Sequence, residues 1–244
     1  MKRLLVVAGS MLALSGFASA ADDTSSVESG WGGFYVGIVG GYGWGEASLD
    51  GNSYIAGTST ELEAVSASFD VDGGLAGGQI GYDFDLSSNL VLGIVGDVSW
   101  SGVSGEVCVE TSGSGCDGSP DDSFVNVDLN WLGTVRARGG FTNGNILVYV
   151  TGGVAMGDVE TSVTHVEGHS DPTRSDSNTH MGWTVGGGAE FKVTETVSVG
   201  AEYLYVDLGS EDYEFSSPNQ YGADVAGEGD ITMSVIRASL NYRF

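Results

Sequence analysis

Apolar and polar residues alternate with a period of two along almost the whole chain, and the alternation is broken by gaps that are by turns very short and very long. A period of two sends successive side chains to opposite faces, so each run reads as a strand with one greasy face. Eight such runs emerge, near 33–45, 73–85, 89–102, 124–141, 145–157, 182–193, 196–208 and 231–244. The gaps LSSN (86–89), TNGN (142–145) and TET (194–196) have hairpin-turn chemistry, and the other four are long. Composition agrees with strands: 41 glycines would burden helices, and the chain has only 3 prolines.

The first residues, MKRLLVVAGSMLALSGFASA, pair Lys2 and Arg3 with a short apolar stretch and end on Ala18-Ser19-Ala20. Small residues there suit an exported leader, so residues 1–20 are expected to be a cleaved signal peptide, 21–30 a short N-terminal segment and 31–244 the folded domain. Losing Lys2 and Arg3 leaves 6 of the 8 basic residues against all 33 acidic ones. Such an acidic surface repels phosphate backbones and argues against a nucleic-acid partner. Past the leader no apolar run approaches the ~20 residues of a spanning helix.

Short turns at one end and long loops at the other is the plan of an up-and-down barrel in an outer membrane. The faces sharpen this. In the fourth run Val125, Val127, Leu129, Trp131, Val135, Ala137 and Phe141 share one parity, and Asn126, Asp128, Asn130, Thr134, Arg136 and Arg138 the other. In the last run Ile236, Ala238, Leu240, Tyr242 and Phe244 oppose Arg237, Ser239, Asn241 and Arg243. Asp83 and Asp85, Asp97, Glu190 and Lys192, and Glu202 likewise oppose the apolar residues of their runs. A soluble sandwich shows the same period, but its aromatics belong mid-strand; here Tyr42, Trp44, Tyr82, Trp100, Trp131, Trp183, Tyr203, Tyr205, Tyr242 and Phe244 gather toward run ends, as interfacial girdles do. The fold expected is therefore all-β, an eight-stranded antiparallel up-and-down transmembrane β-barrel with short periplasmic turns and four long extracellular loops. A last strand that pairs with the first explains how the chain can end on Phe244 without a free edge.

WGGFYVG (31–37), GGQIGYDF (77–84), VLGIVGDVSWS (91–101), WLGTVRARGGF (131–141), LVYVTGGVAMG (147–157), GWTVGGGAEF (182–191), VSVGAEYLYVDLG (197–209) and LNYRF (240–244) together resemble the small outer-membrane immunogenic, porin-like β-barrel proteins of Gram-negative bacteria. That resemblance implies an eight-stranded barrel in the outer membrane, carried there by periplasmic chaperones and inserted by the assembly machinery. The machinery would read the terminal strand at Tyr242 and Phe244. It also implies a surface antigen with a role in envelope integrity, host interaction or haem binding. Two positions depart from the family: Val95 stands where an acid is common, leaving Asp97 alone to serve nearby cations, and Met156 where an aromatic is common.

The inward charges Asp83, Asp97, Asp128, Arg136, Arg138, Glu190, Lys192, Glu202 and Arg237 could line a pore. Eight strands enclose an interior that side chains nearly fill, which favours a paired, hydrogen-bonded plug instead. Cys108 and Cys116, in CVETSGSGC, are expected to bridge within the second long loop in an oxidising compartment. His165, His169 and His180 are placed in the third long loop, where four-residue spacing brings imidazoles together only on a helix, so no metal or haem ligand is assigned. The four long loops hold most of the acid, among it Glu46, Asp70, Asp72, Glu211, Asp212 and Glu214, offset only by Arg174. That acid would either bridge to neighbouring lipopolysaccharide through divalent cations or simply keep the surface solvated. Glycine runs such as GWTVGGGAEF lack the lysine and following helix of a phosphate loop. With no nucleophile beside a base, neither enzyme activity nor a cofactor is expected. The reading is an integral outer-membrane protein with a structural and surface-interaction role, against the alternatives of a small-solute channel or a haem or ligand receptor.

Overall fold

The computed structural model describes residues 30–55, 61–109, 123–165, 174–215 and 223–244. Eight strands follow one another: β1 Gly33–Ile55, β2 Glu61–Ser87, β3 Leu90–Val109, β4 Ser123–Asn143, β5 Ile146–His165, β6 Arg174–Lys192, β7 Val197–Phe215 and β8 Ala223–Arg243. Each pairs antiparallel with the next, and β8 pairs back onto β1 from Tyr35↔Arg243 to Ile55↔Ala223, closing a barrel. The final residue completes the closure, its amide donating to the Phe34 carbonyl at 3.0 Å.

The strands run well beyond the alternating stretches that define them in the sequence. A spanning β-strand needs about 9–11 residues, whereas β1 has 23 and β2 has 27. The excess lies at one end, so much of what reads as long loop is strand that continues past the membrane. Ladders do not require greasy alternation, only a neighbour, and paired hairpin arms provide one. His180, expected in the third loop, lies in β6 and is fully buried.

Outward side chains between two aromatic levels are apolar: Phe34, Val36, Ile38 and Tyr42 up to Trp44 on β1, and Ile236, Leu240 and Tyr242 down to Phe244 on β8. From Phe34 to Trp44 the wall rises about 25 Å, taking about 3.3 Å per residue and a tilt of about 40°, the height of the apolar band of an outer-membrane barrel. Around the lower level Tyr82 packs on Phe84 at 4.6 Å and Phe34 on Phe244 at 5.6 Å between ring centroids. Trp44, Trp100 and Trp183 stand exposed at the upper level.

One face assignment changes. In β4, Leu132, Thr134, Arg136 and Arg138 point inward, yet so do Val127 and Leu129. A register shift against β5 between Leu129 and Trp131 inserts one extra residue, which swaps the faces of everything beyond it. Asp128 is therefore on the exposed outer wall instead of in the lumen, and Leu129 is in the lumen instead of against lipid.

Candidate functional site

The lumen is filled in three storeys. At the periplasmic end Trp31, Val91, Leu147 and Tyr149 form a small apolar floor. Trp31 is fully buried, though it precedes the first strand; its indole Nε1 donates to the Gly144 carbonyl in the β4–β5 turn at 3.2 Å, and Arg243 donates to its carbonyl oxygen. The next backbone amide, Gly32, donates to the Asp85 carboxylate at 3.0 Å, so the strand-entry segment is laced across the barrel mouth.

Above the floor lie two closed rings of ion pairs. In the lower ring Asp83 and Glu190 each bridge Arg138 and Arg243, with Arg243 to Asp83 at 2.8 Å and Arg138 to Glu190 at 3.1 Å. In the upper ring Asp97 and Glu202 each bridge Arg136 and Arg237, with Arg136 to Asp97 at 3.0 Å and to Glu202 at 2.8 Å. Each ring holds two carboxylates and two guanidiniums, so each is neutral. Neutrality matters because an unpaired charge in this environment would be far costlier than a paired one. Hydroxyl and amide groups satisfy further lone pairs: Thr134 donates to Asp97, and Ser198 and Asn241 donate to Glu190. Tyr35 and Tyr149 turn their ring faces to the lower ring, Arg138 lying 4.7 Å and 5.2 Å from their centroids. Glycine makes this possible, since a Cβ at Gly188 would stand 2.8 Å from the Tyr149 hydroxyl.

The third storey is apolar. Leu75, Val103, Val127, Leu129, Leu132, Val159, Leu204, Val206, Leu208, Ile231 and Met233 pack together above the rings. Beside Val39, Leu75, Leu132, Leu204 and Arg237 a void of about 10 Å³ remains, room for about one water.

Of the nine residues assigned to the interior from sequence, seven meet in the rings: Asp83, Asp97, Arg136, Arg138, Glu190, Glu202 and Arg237. Asp128 does not, because of the bulge. Lys192 belongs to the rim: half-buried, it donates to the Gly30 carbonyl and lies 4.5 Å from the Trp31 centroid. Its position near the last inward step of β6 puts it at the periplasmic mouth, where a flexible ammonium reaches the floor. Val95 is buried, but the upper ring is not short of acid for it, because Glu202 from β7 shares both arginines with Asp97. Arg243 completes the lower ring, and Tyr35, Tyr149 and Trp31 shape its surroundings. The signal that could have found the two tyrosines is an aromatic on the parity opposite the outward apolar residues of its run, Val36 and Ile38 beside Tyr35 and Val148 and Val150 beside Tyr149.

Tyr242 and Phe244 are exposed on the outer wall, their rings 5.0 Å apart and edge-on. Cys116 and His169 lie outside the described residues, while Cys108 falls on β3 and His165 on β5. Among the described residues no group of three or more His, Cys, Asp or Glu is placed to hold a metal ion.

A closed antiparallel cylinder with an apolar skin between aromatic girdles and its charges turned inward defines an integral outer-membrane β-barrel protein. The chain matches the model of the outer membrane protein beta-barrel domain family over residues 9–244 and belongs to that family. It is 34% identical to the 31 kDa outer-membrane immunogenic protein of Brucella melitensis over 218 residues, 88% of this chain and 84% of that protein. To the 22 kDa outer membrane protein of Rhizobium leguminosarum bv. viciae it is 31% identical over 189 residues, covering 77% and 69%. Among solved structures it is similar to the outer membrane protein OprG from Pseudomonas aeruginosa, at 13% identity and a TM-score of 0.48, covering 87% of this chain and 96% of that one. The motif resemblance and the family match agree, and the protein resides in the outer membrane.

Proposed function

We propose that this protein is a non-conducting outer-membrane barrel whose work is done on its extracellular surface. The observation that carries the reading is the filled lumen: a tryptophan floor, two neutral ion rings and an apolar storey, their side chains buried, leave no continuous water path along the axis among the described residues. A solute channel would need such a path. The wall meanwhile continues past the upper girdle, β1 running on from Trp44 to Ile55, which raises a large surface into the outside medium. Above the girdle that surface is acidic and polar, with Glu46, Asp70, Asp72, Ser104, Glu106, Asp128 and Asp230 all exposed.

Two measurements test this reading. Refolded protein in planar bilayers is expected to be electrically silent, and reproducible unit conductance overturns the plugged lumen. On intact cells, a membrane-impermeant maleimide is expected to label Ser104→Cys above the wild-type level set by Cys108 and Cys116, and Ser88→Cys only after the outer membrane is permeabilised. The reverse pattern overturns the surface role.

A further inference from the structure

Six of the eight seams stay paired almost to their extracellular ends, as at Ile55↔Ala223, Tyr54↔Glu61, Val109↔Ser123, Ser123↔His165, Val163↔Arg174 and Phe215↔Val225. Two do not. Among the described residues the β2–β3 ladder ends at Asp72↔Ser104, and the β6–β7 ladder ends at Trp183↔Asp207, although all four strands continue. These seams are four strands apart in a ring of eight, on opposite sides of the barrel. Beyond those last pairs the remaining ladders join β3–β4–β5–β6 and β7–β8–β1–β2, with Gly105 still against Asp70 and Gly209 still against Met181 at the start of each open seam. The apolar storey lies at the level where the seams part.

Each split begins beside a bulge. β3 shifts register against β4 between Trp100 and Val103, and β7 shifts against β8 between Asp207 and Ser210, where Gly209 takes a φ of 69°. A bulge bends its strand and adds twist, carrying an edge out of the ladder it would otherwise keep. The edges are therefore built into the register. A free edge offers a row of backbone donors and acceptors, the template on which another extended chain can pair.

Charge selects the partner. The stretches beyond the last β6–β7 pair, Arg174–Gly182 of β6 and Leu208–Phe215 of β7, each still laddered to its other neighbour, contain Asp176, Glu211, Asp212 and Glu214 against one base, Arg174. A second copy of this chain, with 33 acidic and 8 basic residues, would bring like charge to like. We propose that the parted β6–β7 seam is a docking edge for a basic, extended peptide segment of another protein, which adds as a strand to β7 or β6 while its cationic side chains meet these acids. The proposal rests on the surface reading above, but its test uses purified protein, so its failure and a failure of orientation on cells are read separately.

The probe is a fluorescent ten-residue peptide of alternating Lys and Val, titrated into the full barrel refolded in nanodiscs. Binding is expected, weakened at least tenfold when every peptide amide is N-methylated and at least tenfold when Lys is replaced by Glu. A nitroxide on Ser210→Cys is expected to lose mobility as the peptide binds, while one on Asn89→Cys in the β2–β3 turn does not change. Absence of binding, equal affinity for the N-methylated peptide, or an unchanged Ser210 label each overturns the proposal. The variant Glu211→Lys, Asp212→Lys, Glu214→Lys is expected to insert normally and bind at least tenfold more weakly; unchanged affinity overturns the assigned edge.

Discussion

Below the upper girdle the barrel is oily outside and ionic inside; above it the same strands are acidic outside and oily inside. On β8 the outward series passes from Leu240 and Ile236 to Asp230, while the inward series passes from Arg243 and Arg237 to Met233 and Ile231. What changes between the two halves is the solvent outside. Lipid tails leave polar groups only the lumen to occupy, and there they must pair with one another. Water outside allows charges to leave the lumen, so the interior reverts to the apolar packing of a soluble protein. The seams follow the same division: in lipid every ladder stays closed because an open edge there has no partner, whereas in water two ladders part.

The sharpest way to break this comparison is to unbalance a ring. Arg136→Leu strips both Asp97 and Glu202 of a partner and is expected to cost about 3–5 kcal/mol, whereas replacing all four members of the upper ring by apolar residues of similar size should cost much less. Urea titration of refolded protein, followed by heat-modifiable gel migration, measures both. A single variant as stable as wild type would mean that the lower interior is wetter than its packing indicates.

Next in size are two substitutions, each expected to cost about 2–4 kcal/mol for opposite reasons. Ile38→Arg places a charge on the mid-height lipid face, where an arginine is expensive. Leu129→Ala leaves a cavity in the upper apolar storey. The second also tests the β4 bulge, because a residue facing outside could be truncated at little cost. Nitroxide accessibility sharpens it: a label on Asp128→Cys should meet aqueous quenchers and one on Val135→Cys lipid-soluble oxygen.

The smallest expected effect is on the outer wall above the girdle. Glu46 faces Asp70 directly across the β1–β2 ladder, a like-charge pair. Glu46→Lys should stabilise by about 0.2–1 kcal/mol, and the gain should fade as salt is raised. A salt-independent gain would assign it to packing instead of charge.

Most of the membrane-embedded half was legible from alternation, because lipid on one side and a narrow lumen on the other leave each strand position only two environments. That logic found the arginines and carboxylates of both rings and the girdle aromatics. It failed at Asp128, where one extra residue near Trp131 reversed the faces; no local signal separates a bulge from a regular strand when both phases carry apolar residues. It also failed at Trp31, which belongs to no alternating run and is recruited by a turn more than a hundred residues away. His180 and the upper strands were taken for loop because polar composition in water constrains nothing about pairing.

The amino-acid order by itself determined the number of strands, their antiparallel succession, the greasy face of each and the stock of charges that had to be hidden, since a period of two and hairpin-length gaps are local properties. Which carboxylate shares which guanidinium, where β4 reverses its faces and where the two seams part were decided only by closure of the barrel. These depend on the register between strands as distant in sequence as those that pair Tyr35 with Arg243, and register is a property of the closed ring that no single strand carries.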